Sequence, residues 1–229
     1  MATRFGEAVH ERGCSCRFER IASFQAPGPD GFQAFFFQRY WSIVEGEVCG
    51  TVLQILRGQL SPADLNTTFI TLIPKVPNPE RVQQLRPIGL CNVVYKLATK
   101  CIVNRLKRIL PELISPMQSS FIPGRQITDN IIVMQEILHT MRHKVGTKGW
   151  MAIKLDLETA YDRVRWEFIR DTLLRMKLLN LLVEVIMSCV TSSSLSILWN
   201  GEPTEFFKPT CGIRQGDPLS TYLFVACME

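Results

Sequence analysis

The chain has 229 residues, of which 46% are hydrophobic and 21% are charged. This balance suits a globular protein of one large or two small domains and excludes a disordered chain. The formal net charge of +5 is moderate, and basic residues concentrate between positions 96 and 108. A polyanionic partner is compatible with that run, but on charge alone a solvated basic helix face explains it better. The run consists of Lys96, Lys100, Arg105, Lys107 and Arg108.

The spacing of cysteine and histidine indicates neither a disulfide framework nor a zinc site. The eight cysteines are scattered, and several lie in apolar runs, where a free thiol behaves as a small hydrophobic group. His139 and His143 share a helix face without a third ligand nearby. The longest apolar stretch, residues 178–187, is too short to span a bilayer. We therefore expect an intracellular protein in a reducing compartment, with no membrane partner.

The N-terminal part of the sequence predicts helices and one strand pair. Residues 1–23 show no sustained periodicity and are expected to form an irregular lead-in. The turn-rich stretch QAPGPDG predicts a rigid turn, and apolar residues at helical spacing then predict one or two buried helices. Residues 67–73, TTFITLI, predict a strand that Pro74 ends, and LRPIGL predicts its partner.

Two longer helices are predicted in the middle of the chain. From Val94 to Leu110 the apolar positions repeat at helical intervals, and Pro111 is expected to end the helix. After a glycine turn, Thr128 and Asp129 are predicted to cap the second helix. Its apolar stripe is formed by Ile131, Met134, Leu138 and Met141. A loop follows at KVGTKGW.

The last third changes to strand, helix, helix and hairpin, which places a domain boundary after residue 149. In MAIKLD, apolar and polar residues alternate, which predicts a strand ending at Asp156. Two helices follow, the first with an apolar stripe and the second near residues 181–190. Asn200-Gly201 between two strand-like runs predicts a hairpin. The stripe of the first helix consists of Trp166, Ile169, Leu173 and Met176.

Three carboxylates, Asp156, Glu158 and Asp162, lie within KLDLETAYDRV, and an unpaired buried carboxylate is costly. A carboxylate at a strand end beside a tight turn is a common Mg²⁺ ligand. For Asp156 alone a solvated strand end is the simpler interpretation, and Asp162 is better placed to cap the next helix. The glycine-rich stretch GIRQGDPLSTYLF favours a site, because glycines allow close backbone approach. Its helix is predicted to open at Ser220.

Seven stretches resemble, in order, the motifs of reverse transcriptases from plant LINE-type, non-LTR retrotransposons. They are QAPGPDG, LIPK, RPIGL, NVVYK, FIPGRQITDNI, KLDLETAYDRV and GIRQGDPLSTYLF. The resemblance implies an RNA-directed DNA polymerase with an α+β fold of right-hand polymerase fingers and a partial palm, whose ferredoxin-like sheet is incomplete. Residues 24–149 would hold the fingers and the N-terminal part of the domain, and residues 150–229 the partial palm.

The same resemblance implies roles for individual residues. Asp156 resembles the first catalytic palm aspartate, which binds two Mg²⁺ ions, and Leu157 would offer its backbone carbonyl to one of them. Tyr161 resembles the gate that excludes a ribose 2′-hydroxyl, a role compatible with packing as a core aromatic. Lys75 and Arg86 resemble the cations that clamp the incoming triphosphate.

Further roles concern the template. Gln215 and Gly216 resemble the loop that supports the templating base and the nascent pair. Arg125 is either a template-phosphate contact or, equally, a loop cation. The implied partners are an RNA template, a DNA primer and deoxynucleoside triphosphates, and the family acts in the nucleus. The resemblance does not imply an oligomeric state.

The family's second carboxylate motif, which contains two adjacent aspartates, does not occur in these 229 residues. One carboxylate cannot hold two cations in a defined geometry, so we expect the 229-residue chain alone to be inactive or nearly so. Two alternatives stay open. One is a catalytically dead, basic nucleic-acid-binding remnant with salt-sensitive affinity. The other is a reverse transcriptase of the group II intron maturase type.

Overall fold

A computed structural model describes residues 21–147 and 149–229, so most of the predicted lead-in lies outside the described residues. These residues form a mixed α+β fold, which confirms the predicted class. The elements in chain order are α1 Ala34–Arg39, α2 Trp41–Leu56, β1 Thr67–Pro74, β2 Leu85–Cys91, α3 Val93–Leu113, α4 Ile127–His143, α5 Ala160–Arg163, α6 Trp166–Arg175, α7 Asn180–Thr191, β3 Ser194–Trp199, β4 Glu202–Pro203 and α8 Pro218–Cys227.

The four strands form one sheet in the order β2-β1-β3-β4. β1 and β2 pair antiparallel, from Thr68 opposite Cys91 to Pro74 opposite Leu85, which confirms the predicted strand pair. β3 runs parallel to β1 and then pairs with β4. Because β2 is an edge strand, the backbone groups on its outer side are available to another segment.

The predicted hairpin at Asn200-Gly201 is confirmed. Asn200 and Gly201 have φ values of 53° and 89°, and positive φ at both central residues is what a two-residue type I′ turn requires. Beyond the turn, Leu195 and Phe207 exchange two backbone hydrogen bonds of 2.8 Å. The turn therefore carries the chain back along β3 toward the glycine-rich loop.

The core lies between the helices α2, α3, α6, α7 and α8. The predicted stripe of α6 is confirmed, because Ile169 and Leu173 are buried while Trp166 and Met176 pack against the core. The largest fully buried apolar side chains are Tyr95, Ile55, Leu97, Ile102, Ile169, Leu173, Ile186, Leu219 and Leu223. Removal of such side chains from water supplies most of the stabilisation of a fold of this kind.

The predicted boundary after residue 149 divides the chain but not its core. β3 from the second part pairs with β1 from the first, and α8 packs against α3. Both parts therefore share one sheet and one apolar interior. The division into fingers and palm stays a prediction about function.

Three predicted helix ends are wrong. α3 continues through Pro111 to Leu113, since a proline in the last turn removes only one helical hydrogen bond. α4 already begins at Ile127, so the predicted caps Thr128 and Asp129 lie inside its first turn. α8 begins at Pro218 rather than at Ser220, because a proline suits the first helical position.

α4 is helical as predicted, but its apolar stripe is not buried. None of its described residues is buried, and Ile131, Met134 and Leu138 are 53%, 44% and 40% exposed. A 3.6-residue apolar period predicts a helix with one apolar face, whereas burial of that face depends on a neighbouring element. The sequence period therefore predicted the helix correctly and its environment incorrectly.

The strand predicted for residues 151–156 is not formed. Residues 151–157 belong to no strand, and the side chains of Met151, Ile153 and Leu155 are 82%, 71% and 84% exposed. Alternation predicts the two faces of a strand, but a strand also needs a neighbour for its backbone groups, and none of the four described strands pairs with this segment. Asp156 therefore does not end a strand.

Candidate functional site

The first half of the glycine-rich loop is attached to the turn that follows Asp156. The Gly212 N–H donates to the Val164 carbonyl at 2.7 Å, and the Ile213 N–H donates to the Tyr161 carbonyl at 2.9 Å. A Cβ at Gly212 would lie 2.8 Å from the Asp162 carbonyl oxygen. Only glycine therefore permits this close contact between the two motifs.

The second half of the loop lies on the edge strand β2. The Gly89 N–H donates to the Gln215 carbonyl at 2.6 Å. A Cβ at Gly216 would lie 2.5 Å from the Gly89 carbonyl oxygen, and Gly216 has φ +111°. Gly216 and Gly89, which belong to motifs far apart in the sequence, are therefore in close backbone contact. The loop joins the turn after Asp156 to the strand that carries RPIGL.

A buried ion pair flanks the Gln215-Gly216 turn. Arg214 Nη2 lies 3.1 Å from Asp217 Oδ2, and their side chains are 10% and 5% exposed. The Tyr95 hydroxyl donates to the same Asp217 oxygen at 2.9 Å, and Arg214 also donates to that hydroxyl. Arg214 Nη1 donates to Thr68 Oγ1 at 2.8 Å. The pair is therefore linked by hydrogen bonds to both β1 and α3.

Protonation in this network follows from burial and neighbouring charge. Burial raises the pKa of Tyr95 well above its ordinary value, with Arg214 opposing the shift and Asp217 adding to it. Burial lowers the pKa of Arg214, but Tyr95 and Asp217 outweigh that effect, so its pKa is raised overall. Tyr95 therefore stays a neutral donor and Arg214 a cation at neutral pH.

Sequence reasoning missed this network. Tyr95 stands in NVVYK, and Arg214 and Asp217 stand in GIRQGDP, both of which were recognised as motifs. The available signal was that polar residues inside apolar helical or glycine-rich stretches need buried partners. The sequence could not show that these two stretches supply partners to each other.

A cavity of about 140 Å³ is lined by residues of both the glycine-rich loop and the sheet. Its lining is mostly apolar, and it also includes Gln215, Arg214 and Asp217. The lining residues from the sheet include Ile70, Pro87 and Gly89, and those from the loop include Ile213 and Gln215.

Lys75 and Arg86 lie together on one face of the β1–β2 hairpin. Arg86 is opposite Ile73, and the Lys75 N–H continues the pairing by donating to the Gln84 carbonyl at 2.7 Å. Residues two apart in a strand share a face, so both cations project from the same side of the hairpin. Arg86 is exposed, and Lys75 Nζ donates to the Gln83 carbonyl at 2.9 Å.

Asp156 lies in a different cavity from Gln215. With Leu157 and Glu158 it lines a cleft of about 710 Å³, which Glu167 and Asp171 also line. Neither Gln215 nor Gly216 lines this cleft. The structure therefore joins the two motifs through backbone contacts at residues 161–164 but does not place their predicted functional side chains in one pocket.

The described residues do not fit a two-ion metal site on their own. Asp156 is exposed, and no cluster of three or more His, Cys, Asp or Glu side chains is arranged to hold a metal within residues 21–147 and 149–229. A pair of divalent cations needs several converging oxygen ligands. Asp156 and Leu157 therefore provide at most part of such a site.

Tyr161 packs as a core aromatic. Its ring stacks on Phe224 with centroids 4.7 Å apart and planes 19° apart. Its predicted role as a gate stays a prediction. The predicted helix cap at Asp162 is wrong, since this residue lies in α5 and the residue before α6 is Arg165. The close contact with Gly212 fixes Asp162 in the turn instead.

Arg125 has a structural role in this fold. Its guanidinium donates to the carbonyls of Ile114 and Gln118 at 2.9 and 2.6 Å, and also to those of Pro111 and Ser115. These carbonyls lie in the last turn of α3 and just after it, where helical donors are missing. The geometry supports the loop-cation interpretation, because a template phosphate would have to displace these bonds.

The basic run on α3 does not form a continuous exposed face. Lys96 is only 9% exposed, and Lys107 lies over the Tyr222 ring at 5.3 Å from its centroid. The expectation of a solvated helix face is therefore wrong for Lys96. An extended polyanion could not contact the whole run at once.

The glycine-rich loop therefore lies on the edge strand of a hairpin that carries two cations, and it is attached to the acidic turn after Asp156. Residues 73–229 match the family model described as reverse transcriptase (RNA-dependent DNA polymerase). The chain belongs to the reverse transcriptase family.

Three relatives of this chain are transposon proteins. It is 29% identical over 90% of its length to the transposon TX1 uncharacterized 149 kDa protein of Xenopus laevis, and 26% identical over 93% to the Pol polyprotein of the type-2 retrotransposable element R2DM of Drosophila melanogaster. A type-1 R2 element protein of Nasonia vitripennis is 26% identical over 89%. These matches confirm the predicted LINE-type reverse transcriptase, whereas a plant source stays a prediction. The chain spans 16 to 20% of these relatives.

Within the described part of the chain, no helix has both the length and the apolar character needed to cross a bilayer.

Proposed function

We propose that this chain is the part of an RNA-directed DNA polymerase that holds the RNA template, the DNA primer and the incoming deoxynucleoside triphosphate. One observation carries the proposal: the Gln215-Gly216 turn is seated on β2, the strand that also carries Arg86. Membership of the reverse transcriptase family supports it.

The hairpin cations suit the triphosphate. Lys75 and Arg86 project from one face, and Arg86 is exposed. Ionised donors bind phosphate oxygens with strong, charge-assisted hydrogen bonds. Positive charge fixed near the phosphates also stabilises the charge that develops there during transfer. We assign to Lys75 and Arg86 the binding of the triphosphate.

The loop suits the base pair. Gln215 carries both a donor and an acceptor on its side chain, and Gly216 exposes backbone without a Cβ. We assign to this turn contact with the templating base and the nascent pair. Tyr161 would crowd a ribose 2′-hydroxyl while its ring stays stacked on Phe224. The product would then be DNA.

Members of this family use divalent metal ions, and we propose Mg²⁺ for this chain. Asp156 would supply one carboxylate and Leu157 one carbonyl oxygen. A single carboxylate cannot fix two cations, so the 229-residue chain by itself is expected to polymerise little. Template-directed incorporation of deoxynucleotides that requires Mg²⁺ and is abolished by Asp156→Asn would contradict that expectation.

We propose that the chain acts on its RNA template and DNA primer in the nucleus. A nucleic-acid-binding remnant without nucleotide selection is the competing function. The discontinuous basic face of α3 does not favour it.

The test is a binding experiment with a labelled RNA–DNA hybrid whose primer ends in a dideoxynucleotide. We expect the complementary deoxynucleoside triphosphate to tighten hybrid binding about tenfold more than a mismatched one, because pairing and triphosphate contacts are then made together. Lys75→Ala and Arg86→Ala should remove that gain. Arg57→Ala is the control, since Arg57 is an exposed cation that follows α2.

The proposed function fails if hybrid binding is the same with every triphosphate. Binding that falls steeply with salt but ignores the identity of the triphosphate would instead support the remnant.

A further inference from the structure

We propose that Arg214 is a positioning residue for nucleotide selection, which acts by fixing the Gln215-Gly216 turn on the edge of β2. This inference rests on the proposed function, because that turn is assigned to the nascent base pair. Arg214 does not touch the nucleotide. It acts with Asp217, Tyr95 and Thr68, and these four residues are called the anchor network.

The anchor network holds the turn at both ends. Before the turn, Arg214 donates to Thr68 Oγ1 on β1 at 2.8 Å and to the Tyr95 hydroxyl on α3. After the turn, Asp217 accepts from the same Tyr95 hydroxyl at 2.9 Å. Only Gln215 and Gly216 lie between these two fixed residues. The backbone of the turn therefore has little freedom while the network is intact.

Helix capping alone does not account for the network. Asp217 Oδ1 accepts the Leu219 N–H at 2.9 Å and so caps α8. The other oxygen, Oδ2, is the one that meets Arg214 and the Tyr95 hydroxyl. The cap needs only Oδ1, so the Arg214 contact serves a separate purpose.

Stability alone does not account for it either. Arg214 and Asp217 have side chains 10% and 5% exposed, and a buried ion pair is often no more stabilising than apolar residues of similar volume. What such a pair provides is a defined geometry, because both charges must find their partners together. Here the geometry that is defined belongs to the turn between them.

The contact between the Gln215-Gly216 turn and β2 is equally well defined. The Gly89 N–H donates to the Gln215 carbonyl at 2.6 Å, and the space above Gly89 has no room for a Cβ on Gly216. The amide of Gly89 therefore reports whether the turn is seated. If Arg214 holds the turn, loss of the network should expose that amide to solvent.

The experiment compares three variants of the 229-residue chain. The double variant Arg214→Gln with Asp217→Asn removes both charges together, so that no lone buried charge is left to unfold the protein. Tyr95→Phe removes one hydroxyl, and it takes the place of the double variant in the comparison if that variant does not fold. Arg170→Gln is the control, because it breaks an exposed ion pair with Glu184 on α7 instead.

Two quantities are measured: amide hydrogen exchange at Gly89, and the preference for a complementary over a mismatched triphosphate in hybrid binding. In the double variant we expect Gly89 exchange about tenfold faster and the preference about tenfold smaller, with hybrid affinity unchanged within about twofold. Tyr95→Phe should shift both quantities in the same direction by less, and Arg170→Gln should shift neither.

The outcomes separate the inference from the proposed function. Unchanged Gly89 exchange or an unchanged preference in a folded double variant overturns the positioning role, while the proposed function stands. If the unmodified chain shows no preference among triphosphates, the proposed function fails, and selection by the anchor network falls with it. Equal loss of hybrid affinity and preference would also overturn the inference, because it would show a general loss of structure.

Discussion

The glycine-rich loop and residues 151–157 both carry motifs of the reverse transcriptase family, yet they differ in what surrounds them. The loop contacts β2 through Gly89, the turn after Asp156 through Gly212, and α3 through the anchor network. Residues 151–157 join no strand, and their apolar side chains are exposed. A motif specifies the residue types of a site, but its geometry exists only where distant segments supply contacts.

The largest expected effect concerns the core that supports the loop. Leu173→Ala should lower the free energy of unfolding by about 2 to 5 kcal/mol, because Leu173 is 2% exposed and its removal leaves a cavity. Urea unfolding measures the change. Leu174→Ala, at a neighbouring position that is 43% exposed, is the matched control and should cost far less. Similar losses in both variants would show that α6 is not packed as described.

One added methyl group should disrupt the contact between the glycine-rich loop and β2. Gly216→Ala should lower stability by about 2 to 4 kcal/mol, since the new Cβ meets the Gly89 carbonyl and alanine disfavours φ +111°. Gly124→Ala is the control for backbone strain alone, because Gly124 has φ +80° and open space around it. It should cost about 1 kcal/mol. Equal costs would mean that the loop does not rest on β2.

Alkaline pH should weaken the region around the anchor network. Burial raises the pKa of Cys189 from 9.0 to about 12 in the folded protein. Above pH 9 the unfolded state releases the thiol proton that the folded state still holds. The Cys189 thiol therefore leaves the free energy of unfolding unchanged below pH 9 and lowers it as the pH rises toward 12. The loss should reach about 1.4 kcal/mol per pH unit. Unfolding free energies measured from pH 8 to 11 test it.

Cys189→Ala provides the comparison for that experiment. It should reduce the slope of stability against pH above pH 9, while the Cys189 backbone carbonyl, whose oxygen lies 3.1 Å from the Tyr95 hydroxyl oxygen, is retained. An unchanged slope would assign the alkaline loss to other groups.

The smallest effect is expected in residues 151–157. Leu155→Ser should change the free energy of unfolding by no more than about 0.5 kcal/mol, because Leu155 is 84% exposed and packs in no described core. Chemical denaturation would reveal a larger cost. A loss comparable to that of Leu173→Ala would show that this segment is packed in solution.

Much of the fold followed from local patterns. The β1–β2 pair, the type I′ turn at Asn200-Gly201 and the stripe of α6 each depend on short-range rules of alternation, turn chemistry or helical period. The errors arose where a local signal was overruled. Pro111 lies inside α3, and the apolar face of α4 stays exposed.

The site was only partly predictable. Gln215, Gly216, Lys75 and Arg86 were recognised through motifs, and the structure brings the two loop residues to the strand that carries Arg86. The anchor network was missed because it joins residues more than one hundred positions apart, which no local period encodes. For Arg125 a phosphate contact and a loop cation stayed equally open, because nothing in the sequence shows that its guanidinium contacts four carbonyls.

The most direct test of the contrast between the two regions is native-state hydrogen exchange resolved to single amides. The amides of Gly89, Gly212 and Ile213 donate to backbone carbonyls across the loop, so we expect strong protection that is lost only with wide unfolding. The amides of residues 151–157 should exchange at rates close to those of an unstructured peptide. Protection of residues 151–157 equal to that of β1, or free exchange at Gly89, would contradict the account.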